Sequence, residues 1–218
     1  MKKAVLFDLD GTLVNSIFDI ADAANRALTQ LGQPTFSVEE YYRIVGNGMK
    51  TFCTRVLAAD QQHLAEELTH LYHANYSACC CDKTVPYEGV FELLEELHRR
   101  GYLLALITNK PQTQTPKVVE TLLPGVPLDV IWGQQPPFAV KPDPEVYRHV
   151  CDLLGVAPED TVYCGDSDVD ILFAHNAGAR AIGCLWGFRG REELERVGAD
   201  LLADKPLDIL QLPLWRSL

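Results

Sequence analysis

Ala4-Val5-Leu6-Phe7-Asp8-Leu9-Asp10-Gly11-Thr12 decides the fold. Four apolar residues run directly into an acidic turn. A run this short, with no polar alternation, reads as a strand buried on both faces, and such strands belong to parallel sheets. Its acidic end falls where open parallel sheets place their ligands, outside the carboxyl ends of the strands.

Working outward, similar runs occur at 103–108, 130–132, 161–164 and 180–184, with a fainter sixth at 199–202. Gly, Pro, Asp or Asn bounds each of them. Helical patterns lie between. Phe91, Leu93, Leu94 and Leu97 give 90–100 one apolar face, and Gly101 supplies a stop. Over 144–154 the spacing predicts a second helix, with Asp143 as N-cap, Pro144 in the first turn and Gly155 at the end. Alternating strand and helix predicts an α/β fold with a doubly wound, Rossmann-like parallel sheet as its core.

The alternation breaks once. About 70 residues, 15–84, carry no strand pattern, far more than a usual crossover requires. Ile17, Ile20, Ala24, Ala27, Leu28 and Leu31 share one helical face that ends near Gly32. Ser37 with Glu40 forms a capping box for a second helix, and 57–76 suggests one or two more. The reading is a helical cap at 15–84 inserted into a core made of 1–14 and 85–218. Extra helices packed on the core, without a function of their own, are the plainer alternative.

Bulk properties narrow the class. The 218 residues are 47% hydrophobic, enough for a sizeable core, and the net charge is −11. No basic run is present, which argues against nucleic acid as a partner. An acidic surface repels anions at long range, so a phosphorylated ligand needs local positive groups. The short apolar run after Lys2-Lys3 meets Asp8 too soon for a signal peptide, and no stretch of about 18 apolar residues exists to span a membrane. Seven cysteines in no disulfide or zinc spacing read as reduced thiols in the cytosol, although the Cys79-Cys80-Cys81 run has no physical account in the sequence. The expected partner is a small phosphorylated substrate, with the chain a monomer or homodimer.

Four places carry chemistry. Asp8 and Asp10 are two carboxylates at a strand end, costly unless a cation neutralises them. One can attack an electrophile while the other handles a proton. Thr108-Asn109 ends the second strand with a hydroxyl and exposed backbone N–H groups that suit a phosphate oxygen. Lys141, in Lys141-Pro142-Asp143-Pro144, is an ammonium in a frame stiffened by two prolines. Gly165-Asp166-Ser167-Asp168-Val169-Asp170 brings three alternating carboxylates to another strand end, a donor set suited to Mg²⁺. Each has a plainer reading: an acidic turn, a polar loop, a solvated lysine, a helix start decorated with acids. Together they supply what phosphoryl transfer needs, positioning and charge neutralisation around an in-line displacement.

In this order the four motifs resemble the haloacid dehalogenase superfamily, whose phosphatases carry D-x-D-G-T, a strand-end Thr or Ser, a Lys, and G-D-S-x-x-D. The resemblance covers nearly the whole chain. It implies a Mg²⁺-dependent phosphatase with Asp8 as nucleophile and metal ligand. Asp10 would be general acid and base, reaching the metal through its backbone carbonyl. Thr108 and Lys141 would hold the transferring group, Asp166 would bind the metal, and Asp170 would support the metal site. Asp168 fills a variable position and receives no role.

Asp10 separates the chain from superfamily members that cleave carbon–halogen or phosphonate bonds, which lack it. Three strings resemble bacterial phosphoglycolate phosphatases: Val45-Gly46-Asn47-Gly48, Thr108-Asn109-Lys110-Pro111 and Leu185-Trp186-Gly187-Phe188. Gly46, Asn47 and Gly48 would then meet the carboxylate of a small substrate, with a plain interhelical turn as the alternative. Asn15 departs from the pattern, where relatives often carry Asp. Hydrolysis of a small phosphomonoester, 2-phosphoglycolate first, is the leading reading. Pyrophosphatase, sugar-phosphate phosphatase or phosphomutase activity remains open, as does a non-catalytic binding protein on the same fold.

Overall fold

The structure is a computed structural model that describes residues 2–216. In chain order it runs β1 (Ala4–Phe7), β2 (Val14–Asn15), α1 (Ile17–Gln30), α2 (Val38–Ile44), α3 (Gly48–Val56) and α4 (Ala65–Cys79). There follow β3 (Val85–Pro86), α5 (Val90–Arg99), β4 (Leu103–Pro111), α6 (Thr115–Leu122), β5 (Val130–Gln134) and α7 (Glu145–Leu154). β6 (Thr161–Gly165), α8 (Asp168–Ala177), β7 (Arg180–Cys184), α9 (Arg191–Arg196) and β8 (Leu201–Ala203) complete it. Short 3₁₀ turns link several of these.

Six strands form one parallel sheet in the order β5-β4-β1-β6-β7-β8. The run that ends in Asp8 lies at its centre, and all four of its residues are fully buried. Successive side chains alternate between faces, as strand geometry requires. Val5 and Phe7 enter one apolar layer, while Ala4 and Leu6 enter the other with α7 and α8. From β1 the chain proceeds to β4 and β5 on one side. It then returns to β6 on the other side of β1 and continues to β7 and β8. The connections leaving β1 and β6 therefore diverge, which opens a crevice at the carboxyl ends of these two neighbours. Asp8 and Asp166 follow those two strands.

Helices α1 to α4 occupy the long insert. They share one continuous apolar layer with the sheet, running from Val5 and Phe7 through Ala24 and Leu28 to Tyr41, Phe52 and Tyr76. Ser37 caps α2 as the sequence predicts: its Oγ accepts from Glu40 N at 3.3 Å, and Ser37 N donates to Glu40 Oε2 at 2.8 Å. In two places the insert differs from expectation. α3 forms directly after the Gly46-Asn47-Gly48 stretch, over residues for which the sequence predicts no element. The segment expected to be helical from residue 57 opens as a 3₁₀ turn (Ala59–Leu64) and becomes α-helix only at Ala65. α7 starts at Glu145, one residue later than expected. Pro144 has no N–H to give, and Asp143 Oδ1 accepts from Glu145 N at 2.9 Å.

Two strands connect the insert to the sheet, and they are tied together. β2 and β3 pair antiparallel, Val14 with Pro86 and Asn15 with Val85. Asp19, in the first turn of α1, is buried and accepts from Lys83 N, Thr84 N and Thr84 Oγ1 at 2.6–3.0 Å. One carboxylate thus fastens both crossing segments. Asp19→Ala would leave the buried N–H and hydroxyl of Thr84 and the half-buried N–H of Lys83 without an acceptor, at about 1–3 kcal/mol each at most. The expected loss of stability is roughly 3 kcal/mol, read as a fall in the urea midpoint at unchanged m-value.

Candidate active site

Asp8, Asp166 and Asp170 offer carboxylate oxygens that all lie within 4.8 Å of one another, and all three residues are buried. The local chain explains how they pack so closely. Gly11 turns with φ at 90°, and a Cβ there would meet Asp166 Oδ2 at 2.4 Å. On the other side of Asp166, a Cβ on Gly187 would lie 2.2 Å from Asp166 Cβ. Asp166 therefore fits only between two residues without side chains. Thr12 Oγ1 donates to its Oδ1 at 3.3 Å and Phe188 N to its Oδ2 at 2.7 Å. Trp186 Nε1 donates to Thr12 O at 2.9 Å, fastening the loop after β7 to the turn after Asp10.

Lys141 is the counter-charge. Its Nζ donates to Asp170 Oδ1 at 2.6 Å and Tyr163 Oη at 2.9 Å, and lies 2.9 Å from Asp8 Oδ1. The last contact is an ion pair without hydrogen-bond geometry, so Asp8 Oδ1 accepts no hydrogen bond. Tyr163 passes the chain on by donating to Ile107 O. Asp170 Oδ2 accepts from Ser167 N and Oγ, so both its oxygens are engaged.

Three buried carboxylates face one ammonium, and the electrostatics follow. Burial, opposed by Lys141 and reinforced by Asp170, raises Asp8 to about 6. Burial and the charges of Asp170 and Asp8 push Asp166 well above the usual carboxylate range. Burial alone would lower Lys141, but Asp170 and Asp8 outweigh it and hold its pKa above the ordinary lysine value. The cluster is short of positive charge. Three buried carboxylates whose oxygens lie within 4.8 Å of one another, offset by one ammonium, suit a hard divalent cation.

Asp10 faces the other way. Its carboxylate accepts from Lys110 Nζ at 2.8 and 3.0 Å and from Ser16 Oγ at 2.6 Å. Above the cluster lies a cavity of about 100 Å³, room for roughly seven to ten waters at ~10–15 Å³ each. Asp8, Asp10, Thr108, Asn109, Gly46 and Gly48 line it, with Lys110, Gln114 and His73 on its far wall. Thr108 Oγ1 accepts from Lys110 N at 3.2 Å. Asn109 works as a clip. Its Oδ1 accepts from Lys141 N at 2.8 Å, and its Nδ2 donates to Gly46 O at 3.1 Å, joining the Lys141 loop to the insert.

The structure thus gathers Asp8, Asp10, Thr108, Asn109, Lys141, Gly46, Gly48, Asp166 and Asp170 at one sheet edge. Asn47 lies apart, lining a neighbouring cleft with Arg43, Arg55 and Arg189. Lys110, Ser16 and Tyr163 complete the network although the sequence reading gave them no role. Lys110 stood in a quoted string but carried no local signal beyond its charge. Tyr163 acts across 56 residues of chain, a distance no spacing argument reaches, and Ser16 meets Asp10 only because the chain turns back after Gly11. No helix among the described residues is long and apolar enough to cross a membrane.

Comparison with known proteins gives the family. The sequence model of the family described as "Haloacid dehalogenase-like hydrolase" matches residues 5–184. A phosphoglycolate phosphatase of Psychrobacter arcticus is 34% identical over 205 residues, 90% of this chain and 89% of that protein. One from Vibrio parahaemolyticus is 33% identical over 220 residues, 96% of this chain and 95% of its own length. A crystal structure from Lactobacillus delbrueckii subsp. bulgaricus superposes with a TM-score of 0.90 at 30% identity, covering 96% and 97% of the two chains.

Proposed function

The chain belongs to the haloacid dehalogenase-like hydrolase family, and from that premise we propose that it hydrolyses 2-phosphoglycolate to glycolate and phosphate through a phosphorylated Asp8. The observation that carries the chemistry is Asp8 itself: a strand-end carboxylate that lines the cavity while its Oδ1 is ion-paired with Lys141 at 2.9 Å. The substrate reading is supported by the small cavity and by the activity named for the relatives.

The steps balance as follows. An oxygen of Asp8 attacks phosphorus, the bond to the leaving oxygen breaks, and Asp10 delivers a proton to that oxygen. Asp10 then takes a proton from water, which attacks phosphorus and releases phosphate from Asp8. Thr108 and Lys141 hold the phosphoryl oxygens, and Asn109 fixes the Lys141 backbone. Asp8 and Asp166 would hold Mg²⁺, with Asp10 contributing its backbone carbonyl and Asp170 supporting through Lys141. When bound, the ion supplies positive charge that offsets the carboxylates and the phosphoryl oxygens. Residues 15–84 act as a cap that excludes water, moving about the β2–β3 ribbon.

Phosphate release from 2-phosphoglycolate, pyrophosphate, phosphoserine and hexose phosphates tests the reading. 2-Phosphoglycolate should show the largest kcat/KM, and EDTA should abolish release. A larger kcat/KM for a sugar phosphate, or transfer between its hydroxyls without release, would replace the substrate reading.

Mg²⁺ should also stabilise the folded chain, and the effect should depend on pH. Protons and the cation compete for the same carboxylates, and metal ligation requires the deprotonated form. Without the cation, burial holds Asp8 near 6 and Asp166 well above the ordinary carboxylate range, so protons compete at pH 5 and yield as pH rises. At a Mg²⁺ concentration about 100 times Kd, the gain of about 2.7 kcal/mol corresponds to a rise of roughly 5–10 °C in Tm. That rise is expected at pH 7.5 and should shrink at pH 5.

A further inference from the structure

We propose that Lys110 is the residue that selects substrates by a second acidic group, exchanging its partner Asp10 for the carboxylate of the incoming ester. The inference rests on the phosphatase reading and goes beyond it by naming how the tail of the substrate is recognised.

Among the described residues lining the cavity, Lys110 is the one lysine or arginine. Its side chain is only 4% exposed, an unusual place for an ammonium. Its packing shows what the charge is built to meet. Both oxygens of Asp10 lie within 3.0 Å of Nζ, and the ring of Tyr76 covers it at 4.4 Å. The site is thus prepared for a carboxylate and an ammonium side by side, with an aromatic face excluding water behind them. His73 on the same wall is held below the ordinary histidine pKa, chiefly by burial and then by His70 and Lys110. It adds no charge at neutral pH, so a second anion entering the cavity has Lys110 as its counter-charge.

The position along the chain fits that task. Lys110 follows Thr108 by two residues on β4, and its backbone N–H anchors the Thr108 hydroxyl. If Thr108 grips the phosphoryl end, Lys110, two residues further along the same strand and lining the same cavity, is placed to meet the tail of the ester. When Nζ turns to the substrate carboxylate, Asp10 keeps Ser16 as a donor and loses its bidentate cation. The carboxylate that must reach the leaving oxygen is then released only when an acidic substrate is in place. A neutral tail leaves Lys110 locked on Asp10.

The test compares 2-phosphoglycolate with ethyl phosphate, which has the same two-carbon reach and no acid. Wild type should prefer the acidic ester in kcat/KM by at least about tenfold, the scale of a charge-assisted hydrogen bond. Lys110→Met should collapse that ratio toward one, and Lys110→Arg should restore most of it. A ratio near one in wild type overturns the proposal without any variant. So does a Lys110→Met enzyme whose two rates fall equally, because Lys110 would then serve only to position Asp10. Failure of the substrate reading looks different: phosphoserine or another acidic ester would exceed 2-phosphoglycolate while the acidic-to-neutral ratio still depended on Lys110.

Discussion

Asp8→Asn should abolish turnover while leaving the fold intact or firmer. The exchange keeps the shape of the side chain and removes its nucleophilic oxygen. Loss of a nucleophile that works in concert with an acid–base partner costs about 10⁴-fold or more in kcat. Stability should move the other way. Asp8 is a buried acid whose pKa is raised to about 6, chiefly by burial, so its ionised form is disfavoured in the folded chain. A carboxylate raised from 3.8 to about 6 binds its proton more tightly in the folded state. Its contribution therefore favours folding at low pH and declines as pH rises between those values. A neutral amide removes that penalty. The paired result, a Tm at pH 7.5 no lower than wild type beside an inactive enzyme, marks a residue kept for chemistry at the expense of stability. Steady turnover by this variant would contradict the assignment.

Lys141→Ala should damage both properties. Lys141 meets Asp8, Asp170 and Tyr163 inside the protein. Its removal leaves two buried carboxylates without their ammonium, and breaking a buried pair in this way costs about 3–5 kcal/mol. For a chain of this size that is roughly 6–20 °C in Tm. The loss should be partly recovered at lower pH, where Asp8 and Asp166 take up protons in place of the missing positive charge. Turnover should fall by at least about 10³-fold, because the phosphoryl group loses a fixed cation in a water-poor site. Lys141→Arg should not rescue it, since the planar guanidinium cannot reproduce the hydrogen bonds to Asp170 and Tyr163 together with the ion pair to Asp8 from a pocket shaped for a compact ammonium. A variant with wild-type stability and activity would show that the contacts of Lys141 are incidental.

These two residues also show what was legible in the sequence. Strands were readable because a parallel sheet buries them on both faces. Ala4-Val5-Leu6-Phe7 has no polar residue to confuse the pattern, and even the fainter run at 199–202 appears, shifted, as β8. The acidic motifs were readable because each follows such a strand, so sheet topology brings Asp8 and Asp166 together. The insert was harder. α3 begins at a glycine with φ at 77° and ends within nine residues, too few turns for its buried Phe52, Cys53 and Val56 to set a clear period.

What the sequence could not carry is coupling over distance. Asp19 looks like an ordinary first-turn acid, favourable for the helix dipole. Only the fold puts Thr84 against it, 65 residues away. Lys110 and Asp10 are separated by 100 residues and joined at 2.8 Å. Asn47, read with its neighbouring glycines, turns toward a different cleft, because Gly46 and Gly48 with positive φ reverse the chain on each side of it. The cysteine run receives a partial account: Cys79 and Cys80 are buried at the end of α4, where they pack as small apolar groups.

Phosphate that passes through Asp8 leaves an acyl phosphate there, which can be trapped. The enzyme would be mixed with 2-phosphoglycolate and Mg²⁺, quenched within one turnover and treated with borohydride, which reduces an acyl phosphate to the alcohol. Mass spectrometry of the peptide spanning residues 4–26 should then find homoserine at position 8, and only when substrate was present. Release of phosphate with position 8 unmodified, or reduction at another carboxylate, would contradict the account.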